Sequence, residues 1–342
     1  MKNPIMPFFR ILIFSGLISV AHAAQNDRGI GIYVDQDLLV PFLNEDRDYT
    51  MGLAIEFFWS KDKGLYPLDG MVRKTGKLLG LDITHPDVVY SFMLGSVNYT
   101  PDDLSNPNPI YTDRPYSSLI YLSNKRVMAD SNNAIAMEVL IGILGTSVAK
   151  ETQLLLHGWW RSITDSNQPV DPRGWSHQIS NGGEPTIRIR LSKSHLQTAL
   201  SKPGKWDIAT SWGLSLGYQT NINAAIAVRA GNINSSFWSL PFDPVNRGNF
   251  LPTLPKNEWY FWAAYRAHLI GYDALLQGQF RDSDVTFSHN QIKRVVHDGA
   301  AGLTIGNKRS QVTFSVNGKS AELKTSAQRR HFWGNVNFLF HF

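Results

Sequence analysis

Cysteine is absent from this chain of 342 residues, so no disulfide bond can stabilise its fold. Charged residues make up only 18% of the sequence. Beyond residue 23 there is no run of about 18 apolar residues, which excludes a transmembrane helix. A soluble exported protein and a β-barrel both pass this test, because a barrel satisfies its backbone groups through hydrogen bonds between strands.

The motifs of several enzyme classes are also missing. The 10 histidines show neither HExxH nor zinc-finger spacing. The spacing GxSxG occurs once, at Gly213–Gly217, but inside the predicted strand 206–218 and not at the strand-to-helix turn that presents the nucleophile of serine esterases. There is no glycine-rich phosphate loop. The net charge of +5 fits either a partner bearing phosphates or a solvated basic rim. Nucleic acid is not expected as a partner, because no basic patch interleaved with aromatic residues occurs.

The amino terminus has the features of an export signal. Lys2 and Arg10 precede an apolar run at 11–20, and small residues follow at Ala21 and Ala23. Positive charge, a short apolar core and an A-x-A site predict a secretory signal peptide over residues 1–23. Because strand patterns then run to the end without a linker, we expect residues 24–342 to form one domain.

Alternating apolar and polar residues predict a β-barrel. Ile30 and Ile32 alternate with polar or small residues, and the chain closes on an alternating segment at 337–342 that ends in Phe342. Export, alternation and a terminal aromatic residue are typical of outer-membrane barrels, and aromatic residues at 12% suit their interfacial girdles. We predict a twelve-stranded antiparallel transmembrane β-barrel in the cell outer membrane. The predicted strands are 28–40, 48–60, 87–99, 115–127, 133–144, 184–193, 206–218, 222–231, 257–270, 291–305, 310–321 and 330–342.

An even number of strands returns both termini to the periplasm and places the longest loop, 145–183, outside the cell. A short helix predicted at 147–160 in this loop would place Gln153 and His157 on one face. Two periplasmic connections, 61–86 and 232–256, are unusually long for a barrel. An amphipathic helix is expected near 70–82 in the first of them.

Two groups of residues could carry chemistry. A turn centred between Leu43 and Asn44 would place Asp37 opposite Thr50 at the outer rim, among acidic residues that need a cation or Arg47 nearby. Oxygen-rich sites of this kind suit calcium, although this hairpin taken alone favours a solvated acidic loop. His157 could act as a general base or pack as an interfacial residue beside two tryptophans.

The order of these motifs resembles the lipid A 3′-O-deacylase family of Gram-negative outer membranes, over essentially the whole mature chain. The matching segments share their order and spacing with that family. They are the Asp-containing first strand, Asp48-Tyr49-Thr50-x-Gly52, Tyr99-Thr100-Pro101, Asp113-Arg114-Pro115-Tyr116, Gln153-x-x-x-His157 and Gly174-Trp175-x-x-Gln178.

The resemblance implies an esterase that removes an acyl chain from the lipid A of lipopolysaccharide with a calcium ion as cofactor. His157 would activate water, Asp37 would orient that histidine or bind the metal, and Thr50 would lie in the same pocket. Gln36 stands where the family usually has asparagine. A regular strand would turn Gln36 and Asp37 to opposite faces, so both can serve only if a bulge or the rim twist redirects one. The acid that follows the histidine in the family would be supplied here by Asp165 or Asp171, with Asp165 as a metal ligand beside Asp37.

The expected partners are lipopolysaccharide and outer-membrane lipids, with the protein as a monomer. A non-catalytic barrel, either a channel or a structural protein that retains the deacylase scaffold, is the alternative. A soluble periplasmic β-sandwich that binds sugar is a third interpretation.

Overall fold

Twelve strands form a closed antiparallel barrel in the computed structural model, in which each strand pairs with its neighbours in sequence and β1 pairs with β12. The structure describes residues 28–40, 47–59, 69–78, 88–164, 169–199, 205–240, 256–325 and 329–342. The strands are β1 (Arg28–Gln36), β2 (Asp48–Trp59), β3 (Val88–Thr100), β4 (Ser117–Ala129), β5 (Asn133–Leu144), β6 (Glu184–Ala199), β7 (Trp206–Gly217), β8 (Gln219–Asn232), β9 (Glu258–Asp273), β10 (Val295–Gly306), β11 (Ser310–Lys319) and β12 (His331–His341). The predicted fold class and each of the twelve predicted strands are confirmed. The predicted signal peptide lies outside the described residues.

Helices occur only in the connections of the described chain. The α-helices are α1 (Asp69–Leu78), α2 (Val148–Thr164) and α3 (Ala274–Gln277), and the 3-10 helices are Asp37–Leu39, Trp175–His177 and Phe237–Ser239. No helix within the described ranges has the length and apolar character needed to cross a membrane. The helices predicted near 147–160 and 70–82 correspond to α2 and α1. The part of the second prediction beyond Leu78 lies outside the described residues.

Period-two alternation separates the two faces of the barrel wall. On β2 the side chains of Ala54, Glu56 and Phe58 are buried, whereas Ile55 and Phe57 between them are 37% and 47% exposed. The exposed side chains are apolar, as lipid contact requires, and the buried set includes an ionisable residue. The alternation read from the sequence therefore distinguishes the lipid-facing side from the interior.

Ion pairs and aromatic rings fill part of the barrel interior. Arg188 on β6 is fully buried and donates to Glu138 on β5 at 2.8 Å. On strands β9 and β10, Arg266 lies 3.1 Å from Asp298. Charges in such a low-dielectric space are tolerated because each has a partner of opposite sign.

Strand direction divides the connections between the two ends of the barrel. The connections that follow odd-numbered strands share one end, which we call the distal end, and those that follow even-numbered strands share the proximal end with both termini. The distal end carries the connections 37–47, 101–116, 145–183, 274–294 and 320–330. Outer-membrane barrels keep their termini in the periplasm, so the distal end corresponds to the cell surface.

Strand ends account for most differences from the sequence-based boundaries. β6 continues to Ala199 rather than ending at 193, and β10 begins at Val295 rather than at 291. The added residues of β6 are mostly polar and alternate poorly, because the part of a strand beyond the lipid band needs no apolar face. β1 ends at Gln36 rather than at 40, and this difference shapes the site described next.

Candidate active site

Gln36 and Asp37 lie where β1 changes into a 3-10 helix. Asp37 begins this helix and is fully buried, and the Gln36 amide donates to Asp37 Oδ1 at 3.0 Å. A continued strand would have separated the two side chains, so the change of backbone conformation at the rim brings them together. Gly334 on β12 makes room for it, because a Cβ there would lie 2.4 Å from the Cβ of Leu39.

Thr50 occupies an irregularity in the pairing of β2 with β3. The register shifts between Tyr49 and Met51, which leaves Thr50 without a strand partner on that side. Its hydroxyl lies 2.6 Å from the hydroxyl of Thr100, and both residues are buried. On the other side the pairing of β1 with β2 ends at Gln36 and Met51, one residue before Asp37 and Thr50. Asp37 already belongs to the 3-10 helix, so its alignment with Thr50 across the two strands stays a prediction.

His157 lies on the inward face of α2. The buried residues of this helix are Ala149, Gln153 and His157, one helical turn apart, so the predicted shared face of Gln153 and His157 is confirmed. His157 Nδ1 lies 2.9 Å from the carbonyl oxygen of Val170. A carbonyl oxygen can only accept, so Nδ1 donates in this contact, and the tautomer that makes the contact with a neutral ring has its lone pair on Nε2.

A side-chain contact that the sequence did not reveal fixes α2 above the strands. The indole of Trp175 donates to Gln153 Oε1 at 2.8 Å, and its ring packs at 4.8 Å from the ring of Tyr116. Gly174 permits this contact, because a Cβ at that position would lie 2.5 Å from Tyr116. The Gly174-Trp175 motif therefore has a structural role, which is to hold the helix that carries His157.

Gln178, the last residue of that motif, connects the same loop to the wall of the barrel. Ser118 at the start of β4 donates to Gln178 Oε1 at 2.9 Å, and the amide of Gln178 donates to the Thr146 carbonyl at 3.3 Å. All three residues lie at the distal end, where α2 begins. The two ends of the α2 loop are therefore fastened to β4.

Salt bridges join the connections around this end of the barrel. Arg329 donates to Asp48 at 2.7 Å and lies 2.8 Å from Asp113, which links the starts of β2, β4 and β12. Arg47 lies 2.6 Å from Asp102. The counter-charge for Asp48 in the acidic hairpin is thus Arg329, a residue distant in sequence that no local pattern could identify.

The acid expected after His157 is the least defined part of the site. Asp165 lies outside the described residues, and α2 ends one residue before it. Asp171 lies 2.8 Å from Arg161 of α2, with half of its side chain exposed. Among the residues that the structure describes, no three His, Asp or Glu side chains are grouped as metal ligands.

The family profile for outer membrane protein LpxR matches residues 8–342. The chain belongs to the LpxR family. Membership places it in the outer membrane of Gram-negative bacteria and supports the coarse assignment of a lipid A deacylase, a hydrolase, acting on lipopolysaccharide. The resemblance inferred from the motifs is therefore confirmed at the level of the family.

A solved structure of an LpxR protein shares the fold of this chain. LpxR from Salmonella typhimurium is 18% identical to the chain, with a TM-score of 0.67, and the match covers 92% of this chain and 100% of that one. The KdgM porin matches at 7% identity and a TM-score of 0.38, over 92% of this chain and 99% of that one. An outer-membrane channel from Pseudomonas putida F1 matches at 8% identity and a TM-score of 0.42, over 96% of this chain and 100% of that one. No curated protein sequence matches the chain.

Proposed function

We propose that this LpxR-family protein hydrolyses an ester-linked acyl chain, the 3′-O-linked acyloxyacyl group, from lipid A, with His157 as the general base. The observation that carries the proposal is the contact between His157 Nδ1 and the Val170 carbonyl at 2.9 Å. This contact presents Nε2 of the neutral imidazole as the proton acceptor, which a general base requires.

Direct attack by water needs neither a serine nucleophile nor an acyl-enzyme. Nε2 takes a proton from water while the water oxygen bonds to the ester carbonyl carbon, giving a tetrahedral intermediate. The bond from that carbon to the sugar oxygen then breaks, and the imidazolium returns its proton to the leaving oxygen. The products are the free fatty acid and the sugar hydroxyl, and the histidine is regenerated.

The residues at the β1 rim fit a calcium ion in the kind of donor that they offer. Asp37 is a fully buried carboxylate, and calcium prefers carboxylate, amide and carbonyl oxygens. In the proposal Asp37 and Asp165 would hold the ion, with Gln36 and Thr50 lining the same pocket. Calcium bound there would supply positive charge for the developing oxyanion.

The outward face of α2 supports a substrate with acyl chains. Val148, Leu155 and Ile163 form a stripe along the helix and are 51%, 74% and 42% exposed. They face away from Gln153 and His157. Apolar side chains exposed at the cell-surface end of an outer-membrane barrel favour contact with lipid.

Mass spectrometry of lipid A from cells that express the protein tests the proposal. Wild type should release one acyl group from each lipid A molecule, and His157→Asn should leave lipid A intact while the barrel still folds. His195→Asn is the matched control, because His195 contacts Asn133 at the proximal end of the barrel. Hydrolysis retained by His157→Asn would contradict the general base. Lipid A that wild type leaves unchanged would instead support the non-catalytic barrel.

The metal is tested separately on the purified protein. A calcium chelator should abolish hydrolysis, and added calcium should restore it better than magnesium, which demands a smaller octahedral site. Full turnover in the chelator would remove calcium from the mechanism and leave the role of His157 open to its own test.

A further inference from the structure

Part of the outer wall of the barrel is covered near its proximal end. Lys125 and Glu138 point into the barrel, so Asn124, Arg126 and Val139 beside them point outward. These outward side chains are nevertheless buried, with exposed fractions of 0%, 1% and 0%. Farther along β5 toward the distal end, the outward Ile141 and Ile143 are 37% and 48% exposed. The covering therefore ends where the lipid-facing belt begins.

Helix α1 is the element that lies over this area. Its Val72 is fully buried in a cluster with Met137 and Val139, and Ile189 of β6 packs against the same cluster. The helix thus lies on the outside of the barrel, although the connection between β2 and β3 that contains it starts and ends at the proximal end.

The residues near α1 explain why the wall needs a cover here. The Arg126 guanidinium lies 4.5 Å from the centre of the Tyr90 ring, and Tyr90 stacks on Trp59 at 5.9 Å. The side-chain amide of Asn124 has no hydrogen-bond partner within the described part of the chain. A charged and an amide group on the lipid face would be unfavourable in contact with hydrocarbon. A helix over them keeps the acyl chains away.

The opposite face of α1 is basic. Val72 and Gly76, four residues apart, are buried, whereas Lys74 and Lys77 are exposed. An amphipathic helix with lysines on its polar face, fixed beside a lipid-facing wall, has the properties of an in-plane membrane helix. At the periplasmic side of the barrel the nearest anionic groups would be phospholipid phosphates of the inner leaflet, and lysine side chains are attracted to them.

We infer that α1 is an in-plane helix of the periplasmic membrane interface, and that Lys74 and Lys77 bind the phosphate groups of anionic phospholipids there. This surface is at the opposite end of the barrel from His157. The inference therefore does not depend on the proposed hydrolysis.

The depth of α1 can be measured directly because the chain has no cysteine. We would place a spin label at Lys74→Cys in phospholipid vesicles and compare its accessibility to oxygen, which concentrates in lipid, with that to an aqueous nickel chelate. Lys308→Cys in the exposed β10–β11 turn is the reference for water, and Ile143→Cys is the reference for lipid. An intermediate depth is expected. A label at position 74 that is as accessible to nickel as the Lys308→Cys label would overturn the inference.

The lipid preference is tested with the whole protein reconstituted in a mixture of phosphatidylglycerol and phosphatidylcholine. Native mass spectrometry then reports which lipid stays bound to the protein. Since each lysine near an anionic surface contributes roughly a fivefold preference, Lys74→Gln with Lys77→Gln should lower retention of phosphatidylglycerol by about twenty-fivefold. Lys205→Gln with Lys308→Gln removes the same charge from other proximal turns and should change retention little. Equal losses in the two double variants, or no loss in either, would contradict a specific site on α1.

Discussion

Replacing Trp175 with phenylalanine should loosen α2 without weakening the barrel. The substitution keeps a ring against Tyr116 but removes the N–H group that donates to Gln153 Oε1 at 2.8 Å. The acceptor is buried, with only 4% of Gln153 exposed, and its Nε2 already lacks a partner within the described ranges. Leaving a buried amide unsatisfied costs about 1 to 3 kcal/mol.

That cost falls on the contact between α2 and its loop, because neither Trp175 nor Gln153 belongs to a strand. Hydrogen exchange measured by mass spectrometry should therefore show α2 amides opening about 5 to 150 times more often, with strand amides unchanged. His157 is carried by the same helix, so the rate of lipid A hydrolysis should fall in proportion to the fraction of molecules in which α2 keeps its contact with the loop.

Two variants make the measurement specific. Adding Gln153→Met to Trp175→Phe removes the unsatisfied amide and should restore most of the protection of α2. Trp212→Phe alters an outward tryptophan that is 47% exposed on the barrel wall and should leave α2 unchanged. If Trp175→Phe left the exchange of α2 at the wild-type level, or raised that of the strands equally, the indole contact would not be what holds the helix.

Two further predictions concern stability, measured by urea unfolding in lipid vesicles. Glu138→Gln leaves the buried guanidinium of Arg188 without the Glu138 charge and should lower the free energy of unfolding by about 3 to 5 kcal/mol. Adding Arg188→Met should recover much of this loss. A Glu138→Gln variant as stable as wild type would contradict the prediction. Acid should lower the stability of the protein through Glu322 at the distal end. Burial alone would raise the pKa of the Glu322 carboxyl, but the positive charges of Arg114 and Lys319 outweigh burial and hold that pKa below its usual range. Stability from this carboxylate is therefore present above about pH 4.3, the unfolded value, and is lost as pH falls toward the folded pKa. The loss should be smaller in Glu322→Gln, and an identical pH profile in that variant would refute the assignment.

Local patterns were sufficient for the strands and for α2. The alternation at Ile30 and Ile32, and the four-residue spacing of Gln153 and His157, each depend on residues close in sequence, whose geometry is set by the repeat of a strand or a helix. The contacts of the site depend on residues far apart. The pairing of Asp48 with Arg329 and of Trp175 with Gln153 follows from the closure of the barrel and the path of its loops.

Helix α1 shows the same contrast between what local patterns predict and what distant contacts decide. The sequence indicated an amphipathic helix between β2 and β3, because spacing along one element is enough to reveal its faces. It could not indicate that the helix lies against the outside of β4 and β5, since that surface is assembled from strands that come later in the chain.

The sequence by itself determined that the chain is an outer-membrane barrel of twelve strands with a histidine-bearing helix in its longest loop, because lipid imposes a two-residue period and a helix places every fourth residue on one face. Only the tertiary structure decided that β1 turns at Gln36 so that its amide meets the Asp37 carboxylate, that a backbone carbonyl holds the ring of His157, and that a helix covers the wall over Arg126. Each of these contacts depends on the relative positions of segments that are far apart in sequence, and the local spacing of residues does not determine those positions.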